Sequence, residues 1–487
     1  MGAWILRVVV GFAVFFPTVC WLNYKPALLH AGREAAESRF HWRFFAAHLV
    51  SISAFGVLSF YLYGTPHSRL ISDMQAVAWL GTGMAAIACG GFAVIRPYLW
   101  LRVARSTGYL WIIAVVAMVL ACIVGNSSRS LWPLTALITF QMTRVLISPF
   151  IAHLMVNPAT MQIGSERFYV EIADECSGLE GIGLMLAFGV TWIVLFREQC
   201  RFPQAFLLLP AGAALIFLFN SVRIAALILI GNAGADRIAN GGFHSQAGWI
   251  LFNLTALGFT VALSKVQWLS NAKNELPAPS SVENPTAAWL MPFVMILAAG
   301  MLSRALTDDF EWLYPLRFFA AAATLVFFRQ TYGRLEWRID WFGPAIGVVV
   351  FILWIGLDRF LSPDTQAMPS TLALTLRVAA AIITVPIAEE LAFRGFLYRR
   401  LLSADFESVS LRELRELRRY SWIAILVSSV IFGSLHGSRW FAGAVAGVLY
   451  ALVMLRRGRT GDAVAAHAIT NALIAVDVLA FHHWQLW

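Results

Sequence analysis

Apolar runs, most of them long enough to span a bilayer, alternate with short polar segments along almost the whole chain. They lie at about 4–22, 43–64, 75–96, 108–126 and 131–156, then at 178–196, 203–230 and 246–264, and finally at 288–305, 314–328, 341–358, 371–398, 421–437, 440–455 and 461–481. A helix needs about 20 apolar residues to cross roughly 30 Å of hydrocarbon. Lipid supplies no water to satisfy stray backbone groups, so such runs fold as helices. The pattern predicts an all-α fold, a polytopic transmembrane helical bundle. The polar stretch 157–177 interrupts it, and Gln162 to Val170 alternates weakly enough to predict a short hairpin. Residues 266–287, carrying Pro277, Pro279, Ser280, Ser281 and Pro285, read as a linker between two membrane domains, 1–265 and 288–487. Leu411 to Arg419, with leucines spaced by three, predicts a short amphipathic helix on the inner membrane surface.

Composition agrees with that picture. Of 487 residues, 59% are hydrophobic and 13% charged, about half the charge of a soluble domain. The net charge of +9 is read as arginines marking cytoplasmic loops. No phosphate-cradling glycine loop or aromatic–basic array is present, so the partner is the lipid bilayer and no nucleic acid. Basic residues at 197–201, Lys265 and Lys273 place 157–177 and the 231–245 loop on the outer side. The five cysteines, Cys20, Cys89, Cys122, Cys176 and Cys200, show neither disulfide nor metal-ligand spacing, and no cofactor is expected.

Chemistry concentrates in two places. In the first, Cys176 lies among Glu171, Asp174, Glu175 and Glu180, directly before an apolar run. Acidic neighbours alone silence a thiol, because only the thiolate attacks. A reactive Cys176 needs cationic partners from elsewhere, and two are available: Arg223 inside the next-but-one run and His244 at the start of another. His244 can take and return a proton; Arg223 keeps its charge and can stabilise a thiolate or oxyanion. A structural reading stands beside this one, with Cys176 as packing and Arg223 paired to Asp174 or Glu180.

Asp174-Glu175-Cys176-Ser177-Gly178, Asn220-Ser221-Val222-Arg223-Ile224 and His244 resemble, in order, the three motifs of the exosortases, polytopic bacterial counterparts of sortases. The resemblance covers about 1–265. It implies a Cys176–Arg223–His244 site on the periplasmic face of the inner (cytoplasmic) membrane. It further implies exported protein substrates with a C-terminal sorting signal (a Pro-Glu-type motif, a membrane helix and a basic tail), cleavage near that motif, and transfer to a surface acceptor that the sequence does not identify.

The second place is Glu389-Glu390 with Arg394, then His436, then His467 and Asn471. Ionisable residues inside apolar spans point to function. Glu390 and Arg394 are spaced to pair across one turn, leaving Glu389 to activate water. Imidazoles and an amide add a proton relay and an oxyanion donor. A polar cluster that pins helix packing and a zinc site lacking H-E-x-x-H spacing are the other readings of the same residues. The motifs E-E-x-x-x-R, F-x-x-x-H and H-x-x-x-N are similar to those of the CAAX-protease and bacteriocin-processing (CPBP) family. That resemblance implies a metal-independent intramembrane glutamate protease, with Glu389 and His436 on the water and His467 and Asn471 at the oxyanion; it leaves open whether Glu389 or Glu390 is the base. The order of the halves resembles the exosortase E/protease fusions, the type paired with VPEID-type signals. A polytopic transporter or channel with buried ionisable pathway residues is the alternative from a different class.

Overall fold

The computed structural model describes residues 41–63, 73–108, 131–172, 176, 178–269, 284–307, 311–358, 371–403, 406–407 and 418–486. Asp174, Glu175 and Ser177, most of the expected linker, the first and fourth apolar runs, and nearly all of the expected 411–419 helix lie outside that set. The chain forms two compact units, 1–130 and 131–487. In the first, helices α1 (Trp42–Tyr63) and α2 (Asp73–Val94) pack side by side. His48 Nδ1 lies 2.8 Å from the Ala86 carbonyl, and Trp79 donates to Ser59 Oγ at 2.8 Å. Polar groups facing lipid lack water, so these helices satisfy them against each other. Helix α3 (Pro97–Thr107) follows, with Pro97 at its first turn.

The second unit holds the remaining helices: α4 (Leu131–Ile147), α5 (Leu179–Leu195), α6 (Leu208–Asn232), α7 (His244–Lys265), α8 (Pro285–Ala305), α9 (Pro315–Phe327), α10 (Phe342–Asp358), α11 (Leu372–Leu402), α12 (Arg418–Ser434), α13 (Trp440–Arg457) and α14 (Thr460–Phe481). Among the described residues, six helices are long and apolar enough to cross a membrane, or seven if one bent pair is a single span. Large apolar side chains such as Ile352, Leu257 and Phe481 lie on the outside of the protein, as a lipid-facing surface requires. The fold is therefore an all-α polytopic membrane protein. Helix α8 starts where its sequence dictates: Asn284 accepts a hydrogen bond from the Ala287 amide at 3.1 Å, and Pro285 occupies the first turn.

The 131–156 run behaves differently from its neighbours. Its helix stops at Ile147, and Met155–Asn157 forms strand β1. Strands β2 (Gln162–Gly164) and β3 (Tyr169–Glu171) are the expected hairpin, and β1 adds to its free edge, giving an antiparallel sheet in the order β1-β2-β3. Val156 pairs with Ile163, and Ile163 with Val170. Ile163 is fully buried, in a cluster with Phe140, Ile172, Ile224 and Ile228, and Cys176 packs against that cluster. The sheet thus anchors the segment leading to Cys176 on one face of α6.

Candidate active sites

Cys176 is half-buried just before α5. Asn220 on α6 donates from its side-chain amide to the Cys176 carbonyl oxygen at 2.7 Å. Gly178, at φ +85°, turns the chain into α5, and a side chain there would meet both Asn220 and Phe217 at 3.1 Å. That left-handed conformation costs little only for glycine. Arg223 stands three residues beyond Asn220, on the same face of α6. Its guanidinium interacts electrostatically with the Cys176 sulfur, and its Nε is buried without a hydrogen-bond partner among the described residues.

His244 begins α7, directly after a π-helical turn, Ala239–Phe243. Gly248, one helical turn (about 5.4 Å) further on, lies against Arg223: a Cβ at 248 would sit 3.0 Å from an Arg223 terminal nitrogen. Residues four apart share a helix face, so exposed His244 rises from the side of α7 that meets Arg223. Asn220 thus ties the Cys176 segment to α6, and Gly248 sets α7 against Arg223. Asn220 was visible only as a motif neighbour of Arg223, and Gly248 carried no signal at all.

The second constellation is built around α11. Within this helix Val385–Glu390 is ordinary α-helix between two π-helical turns, Ala380–Thr384 and Leu391–Leu397. Such turns are frequent at functional sites because they re-aim successive side chains. Glu389 and Glu390 lie about 100° apart on this α-helical turn, and each approaches a different nitrogen of the His467 ring. His467 Nδ1 is 3.0 Å from Glu390 Oε1, and Nε2 is 3.9 Å from Glu389 Oε2. The second oxygen of Glu390 pairs with Arg394 Nε at 3.1 Å, and Arg394 donates to the Gly447 carbonyl at 2.9 Å. Arg394 also lies 4.4 Å from the Phe432 ring centre, a cation–π contact in a dry setting. Glu390 is therefore engaged through both oxygens. Oε2 of each glutamate is buried without a hydrogen bond among the described residues; that of Glu390 is held by the ion pair with Arg394, that of Glu389 only by the 3.9 Å approach of His467.

His436 lies in the turn between α12 and α13, and its Nδ1 is 3.0 Å from the Phe432 carbonyl. A carbonyl only accepts, so Nδ1 carries the proton and Nε2 keeps a lone pair in the neutral ring. The structure brings His436 within electrostatic range of both Glu389 and His467, with the Phe432 ring 4.8 Å from His436 and 5.8 Å from His467. Asn471, one turn past His467, donates to the Ala381 carbonyl in the first π-helical turn at 2.8 Å. Tyr450 stacks on His467 at 4.9 Å and 17°, a support the sequence did not flag. Among the described residues no group of three His, Cys, Asp or Glu is arranged to hold a metal ion.

Comparison with known proteins adds two matches. A family model described as Transmembrane exosortase (Exosortase_EpsH) matches residues 8–261. A model described as Type II CAAX prenyl endopeptidase Rce1-like matches residues 371–473. No curated protein and no solved structure matches.

Proposed function

The chain belongs to the transmembrane exosortase family, and from that premise we propose that it is a protein-sorting peptidase with a second, intramembrane protease site. In this reading Cys176 attacks the scissile carbonyl of an exported protein's C-terminal sorting signal. His244 accepts the thiol proton and returns it to the leaving amine, while Arg223 stabilises the thiolate and then the oxyanion. The resulting thioester is passed to a surface acceptor. The substrate class is the exported protein with a Pro-Glu-type motif, membrane helix and basic tail; the site faces the periplasm from the inner membrane.

Two observations support this reading: Asn220, on the α6 face that carries Arg223, holds the backbone carbonyl of Cys176, and Gly248 of α7 lies against the Arg223 guanidinium. In the Rce1-like region, Glu389 and His436 activate water, and His467 and Asn471 steady the oxyanion. Glu390, held by Arg394 and His467, orients the imidazole. The substrate of this second site is the residual membrane tail or a related peptide.

The decisive experiment is Cys176→Ala in the native host, scored on a reporter bearing the sorting signal. The reporter is expected to remain uncut; normal processing overturns the thiol mechanism. Glu389→Ala is expected to leave that cut intact while tail fragments accumulate, and normal clearance of the tail overturns the role of the second site.

A further inference from the structure

The ring of Tyr450, on α13, lies where the supports of the second site meet. Glu390 is held by two groups, Arg394 at 3.1 Å and His467 at 3.0 Å. Both lean on the same aromatic ring. Tyr450 stacks on His467 with ring centres 4.9 Å apart and planes 17° from parallel. The Arg394 guanidinium lies 5.6 Å from the centre of the Tyr450 ring. Phe432 stands nearly at right angles to the imidazole, 5.8 Å away and at 87°. The imidazole is thus bounded by a parallel ring, a perpendicular ring and, at Nδ1, a carboxylate. A carboxylate paired with a guanidinium only accepts, so Nδ1 carries a proton and donates.

Tyr450 is itself held at its far end. It is 1% exposed, and its hydroxyl is hydrogen-bonded to the Thr470 side chain. Thr470 Oγ1 also meets the carbonyls of Gly347 at 2.9 Å and Ala466 at 3.0 Å. Those carbonyls take the one threonine proton, so the threonine oxygen accepts from Tyr450. Gly347 of α10 lies so close to the Ala466 carbonyl of α14 that no Cβ fits there, just as the carbonyls of Arg304 and Thr307 leave none at Gly242. Three helices therefore meet at the Thr470 hydroxyl: α10, α13 and α14. Thr470 is three residues past His467 and adjoins Asn471. Packing alone is the competing reading, since Tyr450 belongs to a core cluster with Phe393, Phe432, Ala451 and Met454. Packing asks only for volume; it requires neither a near-parallel stack on the imidazole nor an anchored hydroxyl.

We propose that Tyr450 is a positioning residue of the second site: its ring, anchored through Thr470, fixes the plane of His467 so that Nδ1 stays on Glu390 and Nε2 stays turned toward Glu389. The proposal rests on the reading of His467 as a donor to the oxyanion. Such a donor works by being aimed beforehand at the place where charge develops, and a displacement of about 1 Å can cost a hundredfold in rate. While Nδ1 donates to Glu390, donation from Nε2 takes a proton on each nitrogen, and an aromatic face attracts a ring so charged. Tyr450 acts through the imidazole rather than on the reacting atoms.

The test uses the full-length protein carrying Cys176→Ala, in phosphatidylcholine nanodiscs, with its histidines labelled with nitrogen-15. The His467 ring signals are identified by their loss in His467→Gln. The parent and Tyr450→Phe, which keeps the ring, are expected to show one protonated Nδ1 signal from His467. Tyr450→Met, which fills space without a flat face, is expected to show that signal broadened or split. Turnover is read on an internally quenched peptide with an apolar helix of about 20 residues and a basic end. In Tyr450→Met kcat is expected to fall about tenfold at near-constant KM, with Tyr450→Phe falling in between. A methionine variant with the spectrum and kcat of the parent overturns the proposal, because volume alone would then suffice. So does a phenylalanine variant as disturbed in its spectrum as the methionine one. If the methionine variant does not accumulate, Tyr450→Leu is read by the same two measurements. An uncut probe, or cutting that survives Glu389→Gln, counts against the protease reading; the His467 spectrum needs no turnover and still decides the part of Tyr450.

Discussion

The side-chain amide of Asn220 holds the carbonyl oxygen of Cys176 across 2.7 Å, bridging residues 44 positions apart. This bond fastens the short segment bearing the thiol to the α6 face bearing Arg223. Neutral hydrogen bonds contribute only about 1 kcal/mol to stability, but small displacements of a nucleophile cost far more in rate. Asn220→Asp replaces the donor with a carboxylate that only accepts. We expect cleavage of a sorting-signal reporter to fall about ten- to a hundredfold, with protein level and helical circular dichroism unchanged. Unaltered cleavage in Asn220→Asp would show that the bond does not set the thiol.

Cysteine reactivity should separate sharply along the chain. Cys200 is 1% exposed, and burial pushes its thiol above the usual value, so its thiolate gains population only at higher pH. Cys176 is half-buried and interacts with Arg223. Mass-spectrometric mapping of iodoacetamide adducts at pH 8 is expected to find Cys176 modified well before Cys200, with the Cys200 adduct rising as pH increases further. Faster modification of Cys200 would contradict this environment.

The two adjacent glutamates should part company on mutation. Glu390 and Arg394 are 0% and 1% exposed and paired at 3.1 Å; losing one partner strands a buried charge, worth about 3–5 kcal/mol. Glu390→Gln should therefore lower the thermal midpoint in detergent, whereas Glu389→Gln should abolish the second cleavage with little change in midpoint. Equal midpoints for the two variants would remove the structural distinction between them.

Gly248 offers a subtler handle. An added methyl would sit 3.0 Å from the movable end of Arg223, so Gly248→Ala should displace the guanidinium without breaking α7. A fall of about tenfold in kcat at near-constant KM is expected, since Arg223 acts on charge that develops during reaction. An unchanged kcat would place the guanidinium away from the reacting atoms.

The helices were legible because lipid imposes a single rule: long apolar runs must close their own hydrogen bonds. Run 246–264 became His244–Lys265 and run 461–481 became Thr460–Phe481, close to the expected limits. The end of the 131–156 run was not legible, because apolar periodicity cannot distinguish the tail of a helix from a buried strand; Val156 proved to pair with Ile163. The Glu390–Arg394 pair followed from spacing alone, whereas the joint approach of Glu389 and Glu390 to His467 is a tertiary contact with α14, 77 residues on from Glu390. Arg304, Arg317 and Arg377 belong to no motif in the sequence. Their gathering around Tyr314 is a tertiary property, set by how α8, α9 and α11 pack.

The close seating of Gly242 against the carbonyls of Arg304 and Thr307 has a bearing on how such a protein could be inherited. A wall shared at that intimacy cannot be rebuilt by two polypeptides drifting apart, because any side chain acquired at position 242 would pry α8 away from the turn before α7. Severing the backbone within 270–283 should accordingly yield two fragments that remain together through purification. Splitting the gene there, with each product free to vary, would be expected to persist only while codon 242 still encodes glycine.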